Sequence, residues 1–307
     1  MASTREKQSS LKKRWMDYGV YLVVRLFICL IQSLSLDACR VIASLLATVA
    51  TSVVPIRKRL LEENLSHAFP ELSRDERRLL IHEMWEHLIL LVAEVAHAPR
   101  RVRETNWWHH VRLVDYDPVL KLLHDNRPII LVTGHFGNFE MAGYILGLLG
   151  YPTFSVARTL DNPWLERYLH EFREITGQFL ISKNGGYDEI LDVLRARGTM
   201  AFLADQSAGH KGVRVRFFGR DASAYKAMAL LSYEYKAPIV VGYSVRRDKV
   251  PLQFDMVSVG IFDPEHPPDG VATPRQITQW FTTKLEEGIR RWPEQYWWLH
   301  NRWKTFH

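Results

Sequence analysis

The residues best suited to chemistry are a histidine and a carboxylate close together, His135 and Glu140, in the stretch TGHFGNFE at 133–140. An imidazole near neutral pH can take a proton from a hydroxyl. A carboxylate on one ring nitrogen fixes the tautomer, stabilises the imidazolium and leaves the other nitrogen free for substrate. The two lie five positions apart, and Gly137 between them allows a turn that folds Glu140 back toward the ring. His135 is therefore expected to be a general base and Glu140 its orienting partner. The chain has no G-x-S-x-G elbow, and Cys29 and Cys39 both sit in an apolar N-terminal region, so no covalent nucleophile is indicated. Neither cysteine has metal-ligand spacing, and His82 and His87 in HEMWEH are five apart where a helical zinc site needs four. No metal is expected, nor is a tightly bound cofactor.

These groups need a frame. PIILV at 128–132 is a continuous apolar run of strand length directly before the TGHFGNFE segment, and a helix is expected to open near Asn138. In open α/β sheets ligands gather beyond the carboxyl ends of the strands, which is where His135 falls. Similar runs at 153–157, 198–204 and 238–243 alternate with helical patterns at 164–175, 187–197 and 222–235. That alternation predicts an α/β fold with a mostly parallel central sheet flanked by helices. Before it, residues 57–110 read as amphipathic helix. Ser73 and Glu76 form a capping box, Leu79, Leu80, Met84, Leu88, Leu91 and Val92 recur at helical spacing, and Pro99 is expected to end the helix.

The first 56 residues differ in character. A basic cluster, Arg5, Lys7, Lys12, Lys13 and Arg14, precedes an apolar region at 18–56, and Arg57, Lys58 and Arg59 follow it. Residues 18–36 are nearly long enough to span a bilayer and residues 41–54 are shorter. Basic residues on both flanks favour both ends on the cytoplasmic side, as in an interfacial or re-entrant helical pair. A single span and a buried core helix are the other readings. A cleavable signal peptide does not fit the long apolar region. The net charge of +6 calls for an acidic partner, and its juxtamembrane clustering favours an anionic membrane surface over nucleic acid. The expected organisation is a membrane-anchoring segment at 1–56, a helical part at 57–110 packed on the core, and an α/β core at 111–307.

From about residue 111 to its C-terminus the chain resembles the lysophospholipid-acyltransferase-like superfamily, whose signature is His-x4-Asp/Glu. Within it the chain is similar to the bacterial late lipid A acyltransferases, the lauroyl and myristoyl transferases of Kdo-lipid A. The blocks that carry the resemblance are TGHFGNFE, SVARTLDNP at 155–163, ADQS at 204–207, FFG at 217–219 and PEQYWWLHNRWK at 293–304. The resemblance implies transfer of a fatty acyl chain from an acyl carrier protein or coenzyme A thioester to a hydroxyl of a lipid A precursor. It implies a location on the cytoplasmic face of the bacterial inner membrane.

It also implies substrate-binding roles for Arg158, Asn162, Asp205 and Gln206. Arg158 would stabilise the thioester oxyanion or bind phosphate, or else form a surface salt bridge. Asp205, after the apolar run MAFLA, would order Arg158 or the acceptor, or cap a loop. The aromatics Trp292, Tyr296, Trp297, Trp298 and Trp303 suit either a membrane interface or the core, and Arg302 and Lys304 an anionic head group or an acidic carrier. The same motifs would serve another glycolipid or membrane-lipid acceptor. A hydrolase lacks its nucleophile here, and a catalytically dead scaffold has no need of an intact His135 and Glu140.

Overall fold

The computed structural model describes residues 2–304, with side chains from residue 12 onward. Arg5 and Lys7 of the basic cluster thus have side chains outside the described residues. Two helices lead the chain, α1 (Ala2–Ser33) and α2 (Leu36–Thr48), the latter running into a π-helical turn at Val49–Val53. Ser35 caps α2 through a bond from the Ala38 amide. Next come α3 (Lys58–Ala68) and α4 (Arg74–Arg101). Both halves of the Ser73/Glu76 capping box form.

Two expectations about α4 are corrected. The helix passes through Pro99 to Arg101, because the proline sits in the last turn and leaves only the Val95 carbonyl without its helical donor. The buried face is also rotated. Leu79 and Val92 are exposed, while Leu80, Ile81, Met84, His87, Leu90, Ala93, Glu94 and His97 point inward. The inward stripe carries polar residues, which apolar periodicity alone does not reveal.

The remainder is α/β: β1 (Val111–Val114), α5 (Asp117–His124), β2 (Ile129–Thr133), α6 (Phe139–Leu148), β3 (Thr153–Ala157), α7 (Pro163–Glu174), β4 (Gln178–Ser182) and α8 (Tyr187–Arg195). Then follow β5 (Thr199–Leu203), β6 (Val213–Phe217), β7 (Arg220–Ala224), α9 (Ala227–Tyr235), β8 (Ile239–Arg246), β9 (Phe254–Phe262) and α10 (Pro274–Arg291). The central sheet has the order β1-β9-β8-β2-β5-β3-β4. Its middle and far side, β8, β2, β5, β3 and β4, are parallel throughout. β9 runs antiparallel to β8, and β1 follows β9.

The chain over 220–224, part of which was expected to begin a helix, is instead the second strand of a hairpin, β6–β7. It turns at Gly219 with φ +73°, and α9 starts only at Ala227. One apolar cluster covers each sheet face, around Met200, Ile239 and Phe281 on one side and Ile129, Ile145 and Phe254 on the other. A third joins α3 and α4 to the hairpin and to the C-terminal Tyr296, Trp298 and Trp303. Those three aromatics are core; Trp297 is 38% exposed. Arg302 is buried and donates to the Ser223 carbonyl, so it is not free to meet a head group or a carrier.

Two segments, Lys12–Ser33 of α1 and Leu36–Val53 spanning α2 and the π-helical turn, are long and apolar enough to cross a membrane by length and composition. Leu22, Val23, Leu26, Phe27 and Leu30 of α1 are exposed, as are Val41, Leu45, Val49 and Val53 along α2 and that turn. The opposite side of α2 packs lengthwise on α4. Cys39 Sγ lies 3.9 Å from His97 Nε2 at one end, and Thr48 Oγ1 is 3.1 Å from His82 Nε2 at the other.

Candidate functional site

Register builds the site. Thr133 at the end of β2 is paired with Leu203 at the end of β5, and the Ala204 amide continues the ladder to the Thr133 carbonyl. Two residues past each strand end stand His135 and Asp205. Asp205 Oδ1 accepts from the His135 ring at Nδ1 (2.9 Å) and Oδ2 from the His135 backbone amide (3.0 Å). Gly134 makes room: a Cβ there would stand 3.2 Å from Asp205 Cβ and Cγ. Asp205 is 4% exposed. Because Nδ1 faces a carboxylate, it carries the proton, and Nε2 presents its lone pair.

Burial disfavours the imidazolium, but the bond to Asp205, its charge and the weaker field of Glu140 outweigh that, and the His135 pKa is raised. Burial likewise works against the Asp205 carboxylate, and the bonds from His135 more than offset it, holding its pKa below the ordinary value. The imidazole is fixed on both sides by edge contacts with Phe139 (5.3 Å) and Trp297 (5.6 Å). Gln206 places its amide Nε2 3.4 Å from His135 Nε2. His300 accepts from the Ser207 amide, and burial lowers its pKa.

The sequence residues sort unevenly around this centre. Glu140, in the first turn of α6, is not hydrogen-bonded to the ring; its two oxygens are held by Arg173 of α7, through Nε at 3.1 Å and through Nη2. The imidazole's bonded carboxylate is Asp205, which the sequence placed nearby but with another partner. Arg158 is exposed and lies 3.7 Å from Asp161, away from any bond to His135 or Asp205. Asn162 caps α7 by accepting from the Trp164 and Leu165 amides and donates to the Asp17 carbonyl of α1. Arg173 was missed because α7 reads from sequence as an ordinary amphipathic helix.

Beside the pair lies a cavity of about 160 Å³ between α6 and the sheet. Thr133, Phe139, Ala157 and Leu203 line it at the carboxyl ends of the strands, and Thr153 and Gln178 line it at the opposite ends of β3 and β4. From Thr153 to Ala157 the strand rises about 13 Å, which gives the cavity its depth. Glu140 and Arg173 also line it.

A part-buried histidine bonded to a buried carboxylate at the carboxyl edge of a parallel sheet, near a cleft, suits the general-base chemistry of a transferase or hydrolase. The chain belongs to the bacterial lipid A biosynthesis acyltransferase family, whose model matches residues 4–305, and is an acyltransferase. It is 26% identical over 255 residues to the lipid A biosynthesis palmitoleoyltransferase of Escherichia coli (strain K12), covering 81% of this chain and 79% of that one. To the lipid A biosynthesis lauroyltransferase of the same organism it is 24% identical over 302 residues, covering 95% and 91%. A phosphatidylinositol mannoside acyltransferase of Mycolicibacterium smegmatis (strain ATCC 700084 / mc(2)155) is 30% identical over 131 residues, covering 41% and 43%.

Proposed function

We propose that this protein transfers a fatty acyl chain from a thioester donor directly to a hydroxyl of a lipid A precursor, with His135 as the base. The observation that carries the reading is an imidazole whose Nδ1 is bonded to buried Asp205 and whose Nε2 lies 3.4 Å from the Gln206 amide, at strand ends where Thr133, Phe139 and Leu203 line a cavity. The acceptor hydroxyl gives its proton to His135 Nε2 while its oxygen attacks the thioester carbonyl. The tetrahedral intermediate collapses, the C–S bond breaks, and the leaving thiolate takes the proton back from the imidazolium. Asp205 stays ionised and stabilises the charged ring. The Gln206 amide, 3.4 Å from Nε2, supports the developing oxyanion. The cavity under α6 receives the acyl chain. Glu140 acts through its charge and by fixing Arg173 at the cavity wall.

The donor is a thioester on an acidic acyl carrier protein, with coenzyme A as the alternative. The β6–β7 hairpin follows directly from Asp205, Gln206 and Ser207. Between residues 211 and 226 it carries Lys211, Arg214, Arg216, Arg220 and Lys226 against a single carboxylate, Asp221. Arg214 and Arg216 both lie near that one Asp221, which leaves an excess of positive charge beside the site.

Membrane attachment is through the exposed apolar sides of α1 and α2 at the cytoplasmic face of a bacterial inner membrane. Both helices are fastened to the fold, α2 along α4 and α1 through Asp17 and Gln32, so their exposed apolar sides meet the membrane at its interface. Another glycolipid is the second reading for the acceptor, supported by the similarity to the mannoside acyltransferase over residues that make up 41% of the chain.

The test is transfer from labelled acyl donor to a Kdo-lipid A precursor, with mass spectrometry of the lipid. One added acyl ester, absent with His135→Ala, is the expected result. Absence of product with either donor overturns the lipid A reading, and product from His135→Ala overturns the base.

A further inference from the structure

The buried polar stripe of α4 ends against the loop that carries His135, and the geometry points to a brace. We propose that His87, held by Arg246 and Glu94, positions the 135–138 loop by donating from Nε2 to the Gly137 carbonyl. This inference rests on His135 being the base.

Arg246, at the end of β8, is bidentate to Glu94: Nε reaches Oε1 at 2.7 Å and Nη2 reaches Oε2 at 2.6 Å. Both side chains are buried, at 5% and 0% exposure. The remaining guanidinium nitrogen, Nη1, faces His87 Nδ1 at 2.7 Å. A guanidinium only donates, so Nδ1 must accept and the ring must carry its single proton on Nε2. Nε2 faces the Gly137 carbonyl at 3.2 Å, a partner that only accepts. One tautomer satisfies both contacts, and protonation at Nδ1 would set N–H against N–H. Burial and the Arg246 charge hold the His87 pKa well below the ordinary value.

The rest of the loop hangs from the same framework. The Gly137 amide donates to the Gln295 carbonyl (2.9 Å), and the Asn138 amide to the Ser244 carbonyl (2.7 Å), two residues before Arg246 on β8. Gln295 grips Arg246 through bonds to its backbone amide and carbonyl. Asn138 Nδ2 donates to Glu94 Oε2, and its Oδ1 accepts from the Met141 amide, starting α6. Gly137 has φ +59°, and a Cβ there would stand 2.0 Å from the Ser244 carbonyl oxygen. The charged groups around the brace are Glu94, Arg246, and, in the adjoining pocket, Glu83, Glu86, Lys249 and Glu294. Those facing His135 itself are Asp205, Glu140 and His300. His87, Arg246 and Glu94 touch no reacting atom; they act through the loop.

The experiment compares wild type, His87→Leu and His87→Gln in full-length membrane-bound enzyme. Glutamine keeps one acceptor and one donor, whereas leucine keeps neither. Expected for His87→Leu is a fall in kcat on the order of 10- to 100-fold, the scale of a small displacement of a catalytic group, with KM nearly unchanged. The acid limb of its pH profile should also move to lower pH, as His135 slackens from Asp205. His87→Gln should recover most of kcat and the wild-type limb. Hydrogen exchange at residues 134–140 should quicken in His87→Leu and not in His87→Gln. Unaltered kcat, limb and exchange in His87→Leu overturn the brace, as does a loss in which kcat falls only with the folded fraction. If wild type transfers no acyl group, the proposed function fails on its own. The exchange comparison still decides the brace in that case.

Discussion

His135 and Asp205 occupy equivalent places, each two residues beyond the end of one of two adjacent parallel strands, and the carboxylate bonds both the ring and the backbone amide of the histidine. Parallel register alone makes them neighbours. The double contact fixes the ring's rotation and the proton on Nδ1 together. Asp205→Asn should therefore leave the fold intact and lower kcat by about 10³-fold or more, since an amide can present the wrong tautomer to the ring. Measured kcat of Asp205→Asn within a few-fold of wild type would remove Asp205 from the mechanism.

The pH dependence has a definite sign. In the proposed mechanism His135 acts as base only when neutral, so activity should fall as pH drops through its pKa. That pKa is raised above the ordinary histidine value, so the acid limb of kcat/KM should lie above the pH where an ordinary histidine titrates. Asp205→Asn weakens the hydrogen bond that is the largest upward influence and removes the Asp205 charge, the next largest, so the limb should move to lower pH even as the plateau falls. A limb that stays put in Asp205→Asn would mean another group titrates.

Glu140 should matter less directly. Its carboxylate is committed to Arg173, and both line the cavity beside the base. Glu140→Gln keeps the size but loses the charge-assisted pair and part of the field on His135. A decrease of about 10- to 100-fold, within the range of a supporting group, is expected. It should carry a rise in KM for the donor as Arg173 comes loose. If Arg173→Lys reproduces the KM change, the pair acts at the cavity wall. A Glu140→Gln loss as large as that of Asp205→Asn would instead make Glu140 a direct partner of the ring.

Much of this site could be read before any coordinates. PIILV and MAFLA were recognisable as strands because both are uninterrupted apolar runs, and that put His135 and Asp205 at strand ends. What pairs with what was hidden, because the order of β2 and β5 in the sheet is a tertiary fact. His135 and Glu140, close in sequence, suggested a local contact, yet the turn at Gly137 and the start of α6 send Glu140 to Arg173. The α4 stripe shows the same limit. Its apolar positions predicted a face containing Leu79 and Val92, whereas the structure buries His87, Glu94 and His97, whose burial depends on Arg246 and Ile31 from elsewhere in the chain. Pro99 misled because its fixed φ is itself helical, so the chain runs two residues past it and forfeits the bond to the Val95 carbonyl.

The hairpin charge makes a separable prediction. Reversing Arg214, Arg216 and Arg220 to glutamate should raise KM for an acyl carrier protein donor by about tenfold or more at low salt, with an effect that shrinks as salt rises. KM for acyl-pantetheine, which lacks the carrier's surface, should hardly change. An equal rise for both donors would assign the charge to the small donor portion or the acceptor.

The anchor is better tested by charge than by deletion. Cys39, Ala43 and Ala47 of α2 are buried in the fold, so removing the segment would strip cover from α4 and confuse unfolding with release. Leu45 of α2 and Val49 of the π-helical turn that follows it point outward, at 63% and 43% exposure. Lysine at either place changes nothing packed inside the protein. In water such substitutions shift stability by no more than about 0.5 kcal/mol. At a bilayer surface each removes apolar contact and sets a charge against the acyl region, a cost of up to about 2.5–3.5 kcal/mol at full depth. Leu45→Lys with Val49→Lys should therefore leave the melting temperature nearly unchanged and lower vesicle partitioning by about tenfold or more, the least such a pair costs at partial depth. Unchanged partitioning would leave α1 as the sole attachment and place the outer face of α2 away from the membrane.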